Sequence, residues 1–179
     1  QLKADPGTVS WGGGSAGGTD HITVGLIAKA AGVDPTKSNY IPFSGGGEAL
    51  AAIVGGKVTA GISGYGEFEQ QVKGGKLRVL AISSGERLAN IDAPTLKESG
   101  VDVEVQNWRG VWAAPGITPE QKASIISTME KVNASKTWTD TLAAKGWANT
   151  FLAGDAFADV LKTEIEKTTA VLKEIGLVK

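Results

Sequence analysis

Short β-prone segments alternate with helical segments over residues 8–83, and a loop rich in glycine or serine follows each of the first three β-prone segments. The predicted elements are strands at 8–11, 38–43, 57–62 and 77–83 and helices at 19–31, 48–54 and 67–73. Such alternation is typical of βαβ units around a mostly parallel sheet with flanking helices. The segment 77–83 is almost entirely apolar, which predicts a strand buried on both faces. The sequence therefore predicts an α/β fold.

After residue 83 the alternation is less regular. We predict a short helix from Asp92 to Ser99, an extended segment at 101–114, and further helices at 118–133, 135–145 and 155–175. The sequence Thr118-Pro119-Glu120 indicates a helix start, because proline is favoured at the first helical position. The last predicted helix has one apolar face, as expected for a helix that packs on a domain.

Composition excludes several classes of protein. The chain has 18 Lys and Arg against 19 Asp and Glu, a balance that argues against a nucleic-acid-binding surface. It has no Cys and one His, which excludes disulfides, Cys nucleophiles and multi-His metal sites. We find no apolar run of membrane-spanning length and no signal-peptide pattern, and we expect no membrane insertion. Glycine makes up 25 of the 179 residues, and glycine is favoured where backbone bends sharply or approaches a ligand.

Two catalytic interpretations of the first glycine-rich loop can be weighed. Residues Gly12–Gly17 match G-x-G-x-x-G between a predicted strand and a helix, so a nicotinamide-dinucleotide-binding oxidoreductase remains an alternative, although the second strand ends without the expected acid. The same loop contains G-x-S-x-G around Ser15, but the single His, His21, follows too closely to serve as the base of a hydrolase. We expect His21 to have a packing or hydrogen-bonding role.

The three loops themselves suggest a binding site. They comprise residues 15–19, 44–47 and 63–64, each between a predicted strand and the next helix. In an open parallel sheet these loops lie at the carboxyl ends of the strands, where ligands bind. Helix N-termini carry partial positive charge and free N–H groups, so they hold carboxylates or phosphates without Lys or Arg. The sequence therefore predicts a site for a small anion with several carboxyl groups.

A resemblance to a known family rests on segments in the same order along the chain. They are G-G-G-S-A-G-G-T-D-H-I at 12–22, Y-I-P-F-S-G-G-G-E-A-L at 40–50, G-G-K-V at 55–58, G-G-K-L-R-V-L-A at 74–81, P-T-L-K-E-S-G at 94–100 and N-W-R-G at 107–110. Together they resemble the TctC/Bug family, the extracytoplasmic solute receptors of tripartite tricarboxylate transporters. The F-S-G-G-G-E-A-L segment followed by G-G-K-V is the most specific part.

The resemblance implies a type II periplasmic-binding-protein fold with two lobes, each a mostly parallel sheet with flanking helices. Residues 1–105 would form the second ligand-binding lobe, and residues 106–179 the crossover and the C-terminal helices that return to the first lobe. The first lobe would be incomplete here, because family members have a further N-terminal segment that forms most of it.

The resemblance also implies a function. The chain would be a receptor and not an enzyme, without metal or cofactor, and would bind a small di- or tricarboxylate such as citrate in the cleft between lobes. Its partners would be membrane transporter subunits or a sensor kinase, and its location the periplasm. The matching ligand-binding positions are Ser15, Gly17, Gly18, Thr19, Ser44, Gly45, Gly46, Ser63 and Gly64. The third loop, Ser63-Gly64, departs from relatives that have Asp or Gly followed by Asn.

Overall fold

A three-stranded parallel sheet lies in the N-terminal part of the chain. Its strands are β1 (Ser10–Gly13), β2 (Asn39–Pro42) and β3 (Ala60–Gly61), arranged in the order β2-β1-β3. In the register, Trp11 pairs with Tyr40 on one side and with Ala60 on the other. The first three predicted strands are confirmed: β1 has the expected length but begins two residues later, and β2 and β3 are shorter than expected. Because all three run parallel, their carboxyl ends share one edge of the sheet.

The computed structural model describes residues 1–44 and 46–178. The chain divides into two units. Unit 1 contains Gln1–Asn107 together with the chain from Glu166 onward, and unit 2 contains Trp108–Ile165. The sheet belongs to unit 1, so the candidate site is described within that unit.

One helix follows each strand of the sheet. These helices are α1 (Thr19–Ala30), α2 (Gly46–Val54) and α3 (Tyr65–Lys73), close to the predicted bounds. The buried side chains of α1 and α2 are small or β-branched: Thr23, Val24, Ala28, Ala49 and Ala52. Small buried side chains let the helix backbones approach the strands closely, which holds the strand-to-helix loops firmly in place.

Two glycines in unit 1 are required by close packing. A side chain at Gly61 of β3 would overlap Ile53 of α2, and a side chain at Gly25 of α1 would overlap Ile175, which follows the last helix. Ile175 and its neighbour Val171 are both 8% exposed. Part of the glycine excess therefore serves packing between elements and not the loops alone.

The C-terminal helices confirm the predictions made from local signals. They are α4 (Pro119–Asn133), α5 (Lys136–Lys145) and α6 (Gly154–Glu174), and α6 runs from unit 2 into unit 1 at Glu166. A capping box starts α4: the Gln121 N–H donates to Thr118 Oγ1 at 3.3 Å, and the Thr118 N–H donates to Gln121 Oε1 at 2.8 Å. Ser135 caps α5 through its hydroxyl alone, which accepts the Trp138 N–H at 3.2 Å.

Two sequence predictions for the middle of the chain are wrong. Residues 77–83 form a single parallel bridge, between Ile82 and Thr95, and Leu80 is 64% exposed. An apolar segment becomes a buried strand only where a neighbouring strand pairs with it, and in the described part of the chain none does. The predicted helix after Asp92 is a turn in which Thr95 and Glu98 exchange hydrogen bonds. The segment 101–114, predicted to be extended, contains neither helix nor paired strand.

Candidate functional site

Three loops lie at the carboxyl edge of the sheet in unit 1. We call them loop A (residues 14–18, after β1), loop B (43–44, after β2) and loop C (62–64, after β3). Eight of the nine sequence-predicted site residues lie in these loops or are the first residue of α1 or α2. They are Ser15, Gly17, Gly18, Thr19, Ser44, Gly46, Ser63 and Gly64. The ninth, Gly45, lies outside the described residues.

The helices that start at this edge differ from those elsewhere in how they begin. α1 begins after Gly18 and α3 begins after Gly64, and neither glycine has a side chain that could cap the helix. In contrast, Thr118 and Ser135 cap α4 and α5 through their hydroxyl groups. The first N–H groups of α1 and α3 therefore have no side-chain acceptor at the N-cap and can donate to the oxygens of a ligand.

Hydrogen bonds within the protein fix the shape of loop A. The Gly14 N–H donates to Asp20 Oδ2 at 2.8 Å, and the Gly17 N–H donates to His21 Nδ1 at 3.2 Å. The Gly18 N–H donates to the Ser15 carbonyl at 3.0 Å. The amides of Gly17 and Gly18 are thus engaged inside the protein, and the contribution of these two glycines is to the loop's shape.

A half-buried group of polar side chains supports loop A. The Tyr40 hydroxyl donates to the Gly14 carbonyl at 2.7 Å, and the Tyr40 ring stacks on His21 with centroids 4.2 Å apart. Burial raises the pKa of Tyr40 and lowers the pKa of His21, so both are neutral near pH 7. His21 therefore has the packing and hydrogen-bonding role that its position predicts. Among the described residues, neither side chain forms a hydrogen bond with Ser15: His21 Nδ1 accepts from Gly17 and the Tyr40 hydroxyl donates to Gly14.

Loops B and C repeat one motif, S-G-x-G-E, at residues 44–48 and 63–67. Ser44 donates to Glu48 Oε2 from its hydroxyl at 2.6 Å and from its backbone N–H at 3.3 Å. Ser63 donates from its hydroxyl to Glu67 Oε2, also at 2.6 Å. These hydrogen bonds lower the pKa of Glu48. In both loops the glutamate of the first helical turn therefore holds the serine of the preceding loop.

The acidic residues beside the loops were missed by the sequence analysis. Asp20, Glu48 and Glu67 each lie in the first turn of their helix, and none of residues 12–19, 43–47 or 62–66 is Lys or Arg. Burial raises the pKa of Asp20 and the nearby Glu67 charge raises it further, while the Gly14 hydrogen bond opposes both. The repeated S-G-x-G-E spacing was the signal that could have identified two of the three acids.

The acids do not form a metal site. Within residues 1–44 and 46–178, no three His, Cys, Asp or Glu side chains are grouped closely enough to hold a metal ion.

A separate apolar groove of about 450 Å³ lies beside β2, lined by Ile41, Phe43, Glu48, Ala51, Ala52, Lys57 and Val58. None of the sequence-predicted site residues lines that groove, so the candidate site remains the loop edge.

A parallel sheet whose glycine-rich loops and uncapped helix starts share one edge is the arrangement at which α/β proteins bind ligands. The family model described as "Tripartite tricarboxylate transporter family receptor", TctC, matches residues 1–177. The chain belongs to the TctC family, and the resemblance seen in the sequence is confirmed.

Individual relatives agree with the family. The chain is 29% identical over 178 residues to Protein BugT of Bordetella pertussis, a match that covers 98% of the chain and 54% of that protein. The chain therefore spans about half the length of this relative.

Solved structures share the fold. A TctC solute-binding protein from Polaromonas, solved without ligand, is 26% identical with a TM-score of 0.76, over 97% of this chain and 60% of that one. A structure described as a periplasmic transporter is 26% identical with a TM-score of 0.80, over 98% and 58%. The fold is that of periplasmic solute-binding proteins, with a parallel sheet and flanking helices. The dinucleotide alternative finds no support in these matches.

None of the helices in residues 1–44 and 46–178 is both long enough and apolar enough to cross a bilayer.

Proposed function

We propose that this chain carries one ligand-binding wall of a periplasmic receptor for a small carboxylate, which it presents to the subunits of a membrane transporter. The observation that carries the proposal is the shared edge at which α1 and α3 begin without a side-chain cap. Membership in the TctC receptor family supports the same ligand chemistry. The proposed role is binding, not catalysis, and it needs no metal or cofactor.

The chemistry follows from the donors at this edge. No Lys or Arg lies in the three loops, so a carboxylate would be held by backbone N–H groups and by the positive ends of the helices. The first amides of α1, at Thr19 and Asp20, and those of α3, at Tyr65 and Gly66, would be the main donors. In this proposal Gly17 and Gly18 shape loop A, and Ser44 and Ser63 hold loops B and C.

Thermal unfolding of the chain with a panel of ligands tests the proposal. The panel is citrate, isocitrate, succinate, glutamate, nicotinate, phosphate and NADH. A ligand present at a hundred times its dissociation constant adds about 2.7 kcal/mol to the free energy of unfolding. At about 2–4 °C per kcal/mol, the midpoint should rise by several degrees. We expect a rise with at least one carboxylate and none with NADH, and a rise with NADH alone would contradict the proposal.

A further inference from the structure

The loop edge offers a ligand both hydrogen-bond donors and hydrogen-bond acceptors. The backbone N–H groups at the starts of α1 and α3 are donors, whereas the carboxylates of Glu48 and Glu67, in the repeated S-G-x-G-E motif, are acceptors. We propose that Glu67, assisted by Glu48, determines charge selectivity at this edge: the site takes a carboxylate that also carries a hydrogen-bond donor in preference to a ligand with a second carboxylate facing the loops. This inference rests on the proposed carboxylate-binding function.

The position of Glu67 links two loops. Its carboxylate accepts the Ser63 hydroxyl of loop C at 2.6 Å. The same carboxylate lies directly against Gly46, the first residue of α2, where any side chain would overlap it. Glu67 therefore places a negative charge between loops B and C, where a ligand at the sheet edge would meet it.

Among residues 1–44 and 46–178, no Lys or Arg forms an ion pair with Glu67. Glu67 is close enough to Asp20 for its charge to help raise the Asp20 pKa, which is raised first by burial. Glu69, two residues further along α3, instead forms an ion pair with Lys73 at 2.8 Å. A second ligand carboxylate beside Glu67 would be repelled, whereas an amide, ammonium or hydroxyl group there would donate to it.

The serine hydroxyls strengthen this distinction. In both copies of the motif the serine already donates to its glutamate, so Ser44 and Ser63 do not offer a free hydroxyl hydrogen to a ligand. A ligand oxygen therefore accepts hydrogen bonds from the N–H groups at the helix starts, and a ligand N–H or O–H donates to the glutamates. A ligand with one carboxylate and one hydrogen-bond donor matches this arrangement.

Succinate and succinamate, its monoamide, test the proposal because they differ by one charge and are nearly equal in size. Their dissociation constants would be measured by calorimetry at pH 7.5 for the unmodified chain and for Glu67→Gln, Glu48→Gln and Glu69→Gln. We expect the unmodified chain to prefer succinamate. Glu67→Gln should shift the ratio toward succinate by about 5- to 10-fold, as for a unit charge at roughly 7 Å in partly exposed surroundings. Glu48→Gln should shift it in the same direction, and the matched control Glu69→Gln should leave it unchanged.

Different failures of this experiment have different meanings. If the chain binds both ligands and Glu67→Gln leaves their ratio unchanged, the selectivity proposal is overturned while carboxylate binding stands. If Glu69→Gln shifts the ratio as much as Glu67→Gln, the effect is one of overall charge, and the proposal is again overturned. If neither ligand binds to the chain or to any folded variant, the selectivity proposal is overturned, and the proposed function fails with it only if the other carboxylates of the thermal-unfolding panel also give no rise.

Discussion

Gly17 occupies a backbone conformation that ordinary side chains adopt only with strain, since its φ is +76°. Its N–H is held by His21, and its neighbour Gly18 closes the turn through Ser15. A branched residue at Gly17 would push loop A out of this shape and turn the start of α1 away from the other loops. Loop A therefore depends on glycine for its geometry and not for its flexibility.

We predict that Gly17→Val abolishes carboxylate binding and leaves a folded chain, at a cost of about 1–2 kcal/mol in the free energy of unfolding. Gly32→Val is the matched control, because Gly32 has nearly the same φ, +74°, with no atom within 4 Å of an added side chain. Urea unfolding and calorimetry should show similar destabilisation for the two variants and lost binding for Gly17→Val alone. Normal binding by Gly17→Val would exclude loop A from the site.

His21 should make loop A sensitive to acid. Burial lowers the pKa of His21 in the folded chain, and its Nδ1 must be unprotonated to accept the Gly17 N–H. The unfolded chain therefore binds this proton more readily than the folded chain does. Neutral His21 therefore contributes fully to the free energy of unfolding above the ordinary histidine pKa of the unfolded chain. This contribution is lost as pH falls through the lower pKa that His21 has in the folded chain.

This pH dependence can be measured by urea unfolding from pH 8 to pH 5. We predict that His21→Asn, whose side-chain oxygen can accept the same hydrogen bond, removes the histidine contribution to the pH profile. An NMR titration of the imidazole should give a folded pKa below the ordinary value. A folded pKa above that value would show that His21 is charged and that the Gly17 hydrogen bond is misassigned.

Residue-level roles were only partly predictable from the sequence. Glycine, serine and helix-start patterns identified the three loops because those signals are local. The roles of Gly25 and Gly61 depend on Ile175 and Ile53, which are distant in the sequence, so composition alone could not separate packing glycines from loop glycines. The contact of Glu67 with Gly46 arises only when α2 and α3 are brought together, so no local pattern predicts it.

Among the elements, α1 is anchored to the end of α6 within unit 1. Gly25 lies against Ile175 and Val171, and Lys29 forms an ion pair with Glu174 at 2.7 Å. The ion pair is exposed and contributes little to stability. The close contact at Gly25 therefore sets the position of α1, and with it the direction in which the start of α1 faces.

We predict that Gly25→Ala destabilises the chain by about 1–3 kcal/mol through overpacking. Gly47→Ala, in α2, is the control: an added side chain there meets no atom within 4 Å, and its effect should be neutral or slightly stabilising. The double variant Gly25→Ala/Ile175→Ala should lose less free energy of unfolding than the two single variants lose together, because the smaller residue 175 makes room for the methyl group added at position 25. Simple additivity in thermal or urea unfolding would contradict the proposed contact.

Element prediction succeeded where the signals were local and failed where they were not. The sequence Thr118-Pro119-Glu120 identified the start of α4, and the structure confirms that helix. Residues 77–83 have the composition of a buried strand, yet strand formation depends on a partner that the sequence does not show. The reciprocal bonds of Thr95 and Glu98 resemble a helix start, but no helix continues from them.

At the scale of the whole molecule, topology makes the site. Three parallel strands bring loops A, B and C to one edge although they are separated by some twenty to thirty residues each in the sequence. That convergence was predictable, because parallel strands joined by helices have their carboxyl ends on one side. The assignment of residues 1–105 and 106–179 to separate lobes stays a prediction, as does citrate as ligand.

The central claim is that a small carboxylate is held at the starts of α1 and α3. An NMR titration of the ¹⁵N-labelled chain with citrate, succinate and succinamate tests it most directly, because each backbone amide reports separately. We expect at least one ligand to shift the amide signals of Thr19, Asp20, Tyr65 and Gly66 together, with one dissociation constant. Saturable shifts confined to residues away from these helix starts would contradict the account.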